Sequence, residues 1–115
     1  MGAIVTLRER HERKLAAYRA SVEVLILQLG EYARAHGGRF ILFGSAARGT
    51  PHDESDVDLL VDFAENETLA ACRFAEELCW SLELKPDVLD VAWASERVTQ
   101  RARQEGVVLG EAVAS

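Results

Sequence analysis

Residues 39–63 read RFILFGSAARGTPHDESDVDLLVDF. Arg39 to Phe43 is a short aromatic and β-branched run of the kind that forms a buried strand. Gly44 to Gly49 follow as a tight Gly-Ser-Ala-Ala-Arg-Gly unit, and Thr50 to Ser55 contain Pro51, Asp53 and Ser55, all turn formers. Val57 to Phe63 reads as a second strand, with Asp56 and Asp58 at its entrance. Side chains two apart on a strand point to the same face, so two carboxylates stand together there. Within about 7 Å they repel each other and both demand water. A hard divalent cation relieves that repulsion, and Mg2+ takes oxygen ligands while keeping positions for water and substrate phosphate. Taken alone, Asp-Val-Asp fits a solvent-exposed strand entry as well as it fits a two-metal platform for attack at phosphorus.

The residues just before this pair favour the second reading. Gly44 allows a sharp turn and close approach of the backbone to a ligand. A short helix starting at Ser45 would aim free N–H groups and a positive dipole end at phosphate oxygens. The Ser45 hydroxyl can hydrogen-bond a phosphate, and Arg48 adds a charge within reach of a triphosphate tail. A plain helix N-cap is the other reading of Ser45.

Working outward, Leu15, Tyr18, Val22, Leu25, Ile26, Leu29 and Tyr32 recur by threes and fours. This predicts an amphipathic helix over about 7–36, stopped by Gly37-Gly38. Arg8, Arg10, Arg13, Lys14 and Arg19 decorate its first half as a solvated face or a partner surface. Downstream, Thr68 to Leu84 reads as a second long helix, and Pro86 breaks the chain before a third strand over Val88 to Trp93. Ser95 caps a last helix through about Gln104, which Gly106 ends. The expectation is a single α/β domain over 1–115, a small mixed sheet flanked by helices, with its core over about 39–104.

At 115 residues, 49% hydrophobic and 28% charged, the composition is that of a soluble globular protein. No run approaches the roughly 18 apolar residues of a membrane span, and the charged stretch Arg8 to Arg13 precedes any apolar run fit for a leader. A cytoplasmic protein with no membrane partner is therefore expected. The net charge of −6 argues against a direct nucleic-acid partner, whose phosphates call for clustered Lys and Arg. A bound metal can still supply positive charge locally to a nucleotide. Cys72 and Cys79 are seven apart in a predicted helix, roughly 10 Å at helical rise and too far for a disulfide, so both read as small core residues. Trp80 and Trp93 read as core or interface residues, and His11, His36 and His52 as surface residues.

Gly44-Ser45, ten intervening residues and Asp56-Val57-Asp58 form a GSx10DxD pattern. It resembles the signature of the nucleotidyltransferase superfamily that contains DNA polymerase beta. Arg48-Gly49 after the Gly-Ser, Ser55 before the first Asp and Leu59 after the second make the run similar to the minimal nucleotidyltransferase (MNT) branch. The resemblance implies the nucleotidyltransferase fold, ATP as substrate, two Mg2+ ions on Asp56 and Asp58, and phosphates held by Gly44, Ser45 and Arg48. It also implies a third catalytic and metal-binding carboxylate on a later strand. Asp90, a charge inside the apolar run Leu89 to Val91, is the favoured candidate; Asp87, beside Pro86, is the competitor. Asp62 shares the face of Asp58 but lies roughly 13 Å along the strand, too far to share its metals.

Larger members of the superfamily append a domain for the acceptor, and a chain of this length is expected to leave that side to a partner or to self-association. Free-standing MNT proteins resemble the antitoxins of HEPN–MNT toxin–antitoxin pairs, which adenylylate a tyrosine of the HEPN ribonuclease. The resemblance therefore implies AMP transfer to a HEPN-type toxin. The alternatives are a small-molecule nucleotidyltransferase of the aminoglycoside-modifying type and a non-catalytic antitoxin acting by binding alone.

Overall fold

The computed structural model describes residues 6–48 and 56–110; residues 1–5, 49–55 and 111–115, and the side chain of Arg48, lie outside the described residues. Helix α1 spans Leu7–His36. The Thr6 hydroxyl accepts the Glu9 N–H at 3.1 Å to open it, and Gly37 closes it in the left-handed region at φ 70°. Tyr18, Val22, Leu25, Leu29 and Ala33 are its buried stripe.

Strand β1 (Arg39–Phe43) leads into a one-turn helix α2 (Ser45–Arg48), and β2 (Asp56–Asp62) returns antiparallel to β1. Helix α3 (Thr68–Ser81) then crosses over to β3 (Lys85–Asp90), which runs parallel to β2. A 3-10 turn (Val91–Trp93) and helix α4 (Glu96–Glu105) follow, and β4 (Val107–Leu109) adds antiparallel to β1. The sheet order is β3-β2-β1-β4.

Alternation along the strands separates two apolar layers. Phe40, Leu42, Val57, Leu59 and Val61 pack under α1 and α3 against Leu25, Leu29, Ala71, Ala75 and Cys79. On the other face Ile41, Phe43 and Leu60 meet Ala102 of α4. Away from the loops of the glycine-serine unit, Arg39 and Asp62 pair at 2.7 Å across the far end of β1 and β2.

Three elements differ from the sequence-based expectation. The third strand begins at Lys85 and ends at Asp90, three residues earlier than expected, and Val91–Trp93 is a 3-10 turn. Pro86 reads as a breaker, yet β3 is an edge strand, whose outward side has no ladder bond for a proline to forfeit. Helix α3 stops at Ser81, and Glu83 takes a left-handed φ of 61° with no glycine to announce it. Strand β4 had no signal, because three residues show no period. Trp80 and Trp93 are not core residues; they stand 61% and 82% exposed. Cys72 and Cys79 are both free, with Cys79 buried and its thiol pushed up to about 12, chiefly by burial. Among the described residues, no helix is long and apolar enough to cross a membrane.

Candidate active site

The site lies where β1 ends and β2 begins. After Phe43 the chain turns through Gly44 at φ 76°, a conformation that favours glycine. A Cβ at this position would also run into the carboxylate of Asp58, so the turn and the carboxylate occupy space that only a hydrogen leaves open. Ser45, the first residue of α2, is buried beside it. The backbone of Arg48 ends α2.

On β2, Val57, Leu59 and Val61 enter the core, and Asp56 and Asp58 face the α4 side with Leu60. Asp56 is exposed and Asp58 half-buried. The parallel register then sets Lys85 beside Asp56 and Asp87 beside Asp58. Arg101 reaches the same place from α4, where it also pairs with Glu105 at 3.6 Å. Together Ser45, Asp56, Asp58, Lys85, Pro86, Asp87 and Arg101 line an open cleft of about 300 Å³. A larger cavity of about 580 Å³ opens at the opposite end of the sheet, beside Arg34, Arg39 and Phe63. It holds none of the convergent carboxylates, so its size does not make it the chemical centre.

Burial raises the carboxyl of Asp58 above its ordinary value, and the charge of Asp87 with a hydrogen bond between the two carboxyls raises it further. Arg101 opposes this, and Asp56 adds a smaller push upward. Three carboxylates thus crowd one cleft, with Lys85 and Arg101 as the cations along its wall. Among the described residues no three acidic, His or Cys side chains close into a ready-made metal cage. Such an open set suits Mg2+, which is commonly held by one or two carboxylates together with substrate phosphates.

Gly44, Ser45, Asp56 and Asp58 are therefore brought together, whereas Asp90 is not. Asp90 pairs in register with Val61 and lies three residues beyond Asp87, on the opposite face of β3. Its carboxylate accepts the Ala92 N–H at 3.0 Å, capping the 3-10 turn, and its charge acts on Cys72 of α3. The favoured sequence candidate thus stands apart from the carboxylate pair, because the strand starts earlier than Pro86 suggested. Once Lys85 is admitted to the strand, two-residue alternation puts Lys85 and Asp87 on the carboxylate face. Arg101 left no comparable signal, since only the packing of Ala102 against the sheet aims its neighbour at the cleft. His52 and Ser55 lie outside the described residues.

The polymerase beta nucleotidyltransferase model matches residues 38–112. The chain is similar to a solved structure described as a minimal nucleotidyltransferase, with 29% identity and a TM-score of 0.58 over 81% of this chain and 93% of that one. It is also similar to a toxin-antitoxin crystallised with AMP-PNP, with 26% identity and a TM-score of 0.56 over 79% of this chain and 74% of that one. A mutant of the MntA-HpeT toxin-antitoxin shares the fold at 23% identity and a TM-score of 0.58, over 76% of this chain and 74% of that one. None of the curated protein sequences matches the chain. With a family model spanning both halves of the glycine-serine and carboxylate site and all four strands of the sheet, the chain belongs to the polymerase beta nucleotidyltransferase family.

Proposed function

We propose that this nucleotidyltransferase is a Mg-dependent adenylyltransferase of the antitoxin type, which moves AMP from ATP to a tyrosine of a HEPN ribonuclease toxin in the cytoplasm. The observation that carries the transferase chemistry is the single cleft in which Ser45, Asp56, Asp58 and Asp87 converge. The antitoxin role is supported by the likeness to a toxin-antitoxin crystallised with AMP-PNP and by the MNT-like run from Gly44 to Phe63.

Ser45 donates its hydroxyl hydrogen bond to the ATP phosphates, with Gly44 keeping the backbone out of their way and Arg48 assigned to the triphosphate tail. Asp56 and Asp58 would hold Mg2+, with Asp87 as the third carboxylate in place of Asp90. An ion held there would supply positive charge that lowers the pKa of the acceptor hydroxyl and offsets the charge of the phosphates. The acceptor oxygen forms its bond to the α-phosphorus as the bond from that phosphorus to the pyrophosphate oxygen breaks. Asp87 takes the hydroxyl proton, and Lys85 and Arg101 stabilise the departing negative charge. Positioning and electrostatics supply most of the acceleration.

The test is label transfer from α-phosphate-labelled ATP with Mg2+, with the candidate toxin co-expressed or lysate of the source cell added. A labelled protein band with the wild-type chain and none with Asp58→Asn is the expected result. ATP consumption with label only on a small molecule would replace the toxin by a small-molecule acceptor. Tight toxin binding without any label would reduce the chain to a binding antitoxin.

A further inference from the structure

Tyr18 is the first buried residue of α1; the residues of α1 before it are exposed or, at Leu15, half-buried. It is 7% exposed, and its hydroxyl donates to the backbone carbonyl of Asp56 at 2.9 Å. The reason for that bond lies in the strand register. Strand β1 ends at Phe43, which pairs with Asp58, so Asp56 extends beyond its neighbour on that side. The chain that would have continued β1 has turned away through Gly44 into α2. The phenol of Tyr18 meets the Asp56 carbonyl beyond that last pair, with the Ser45 side chain near enough to act on it.

We propose that Tyr18 is a positioning residue of the site, a latch beneath the cleft through which α1 holds the carboxylate half, Asp56, in register with the phosphate half, Ser45. Its ring belongs to the core, packed with Val22 and Leu25 of its own helix, and only its oxygen serves the site. No other strand neighbour fixes the β1-facing side of Asp56 among the described residues. The inference rests on the reading of Asp56 as a metal ligand, and it extends that reading to a residue outside the motif.

The experiment compares the full chain with Tyr18→Phe and Val22→Ala. Mn2+ binding is followed by electron paramagnetic resonance, with and without AMP-PNP, alongside thermal unfolding. Tyr18→Phe keeps the ring and is expected to weaken Mn2+ binding about two- to tenfold, the range for one lost hydrogen bond, with kcat falling in step. Val22→Ala, one helical turn along the same buried stripe, is expected to lower Tm yet bind Mn2+ like the wild type. Equal Mn2+ affinity in Tyr18→Phe and wild type would overturn the latch while leaving the metal site standing. The same loss in Val22→Ala would assign the effect to general packing of α1 and also overturn it. A wild-type chain that binds no Mn2+ even with AMP-PNP would overturn the metal reading itself, and the latch with it.

Discussion

The two faces of β2 are built from alternate residues of one seven-residue strand, and they do opposite work. Toward α1 and α3, Val57, Leu59 and Val61 are completely shut from solvent. Toward α4, the same backbone presents Asp56 and Asp58 to an open cleft before it returns to the buried Leu60. The first face gains stability from burial. The second forgoes some, since burial and crowding by Asp87 both disfavour the charged form of Asp58. One step along the strand therefore separates the residues that hold the fold from those assigned to the chemistry, and a substitution on either face should show to which it belongs.

The sharpest contrast is expected from Asp58→Asn. Label transfer should fall on the order of a thousandfold, the scale for losing a group that stabilises the transition state, while the protein remains folded. Near-wild-type transfer would remove Asp58 from the metal site. Next comes the pair on β3: Asp87→Asn should lower transfer about a hundredfold, and Asp90→Asn should leave it close to wild type. The reverse ranking would mean that the register of β3 changes when substrate binds. On the apolar face, Leu59→Ala should cost about 2–5 kcal/mol of stability by opening a cavity, measured by urea unfolding. Any Leu59→Ala protein that remains folded should retain its Mn2+ affinity; loss of metal binding without loss of fold would contradict the division of labour.

The smallest effect is a pH dependence. In the folded chain Asp58 titrates above its ordinary value of 3.8. The folded state therefore favours the protonated form, and the destabilisation from Asp58 is absent below the unfolded value and grows as pH rises through the folded one. At neutral pH and without metal, Asp58→Asn should melt a few degrees higher than wild type, and the gap should close on acidification. A gap that widened toward acid would indicate that Asp58 is instead held as a stabilising carboxylate by Arg101.

Much of this was legible in the chain itself, for reasons that are local. The stripe from Tyr18 to Leu29 follows helical periodicity, and Gly37 supplies the stop that α1 uses. Gly44-Ser45 and Asp56-Val57-Asp58 could be read as one unit because strand alternation fixes the direction of each carboxylate. Which of Asp87 and Asp90 stands beside Asp58 was not legible in the same way. It depended on where β3 begins, and Pro86 obscured that boundary because its tolerance depends on whether the strand lies at an edge. Arg101 and Tyr18 were out of reach for a different reason: each acts on the site from a helix distant in sequence.

By itself, then, the sequence determined the helices, the first two strands, the paired carboxylates and the family, since these follow from periodicity, turn chemistry and a fixed spacing along the chain. Only the tertiary structure decided that Asp87 stands beside Asp58, that Arg101 closes the wall of the cleft, and that the Tyr18 hydroxyl rests on the Asp56 carbonyl. Those contacts depend on strand order, register and helix docking, which are set by how all the apolar faces pack together rather than by any one segment.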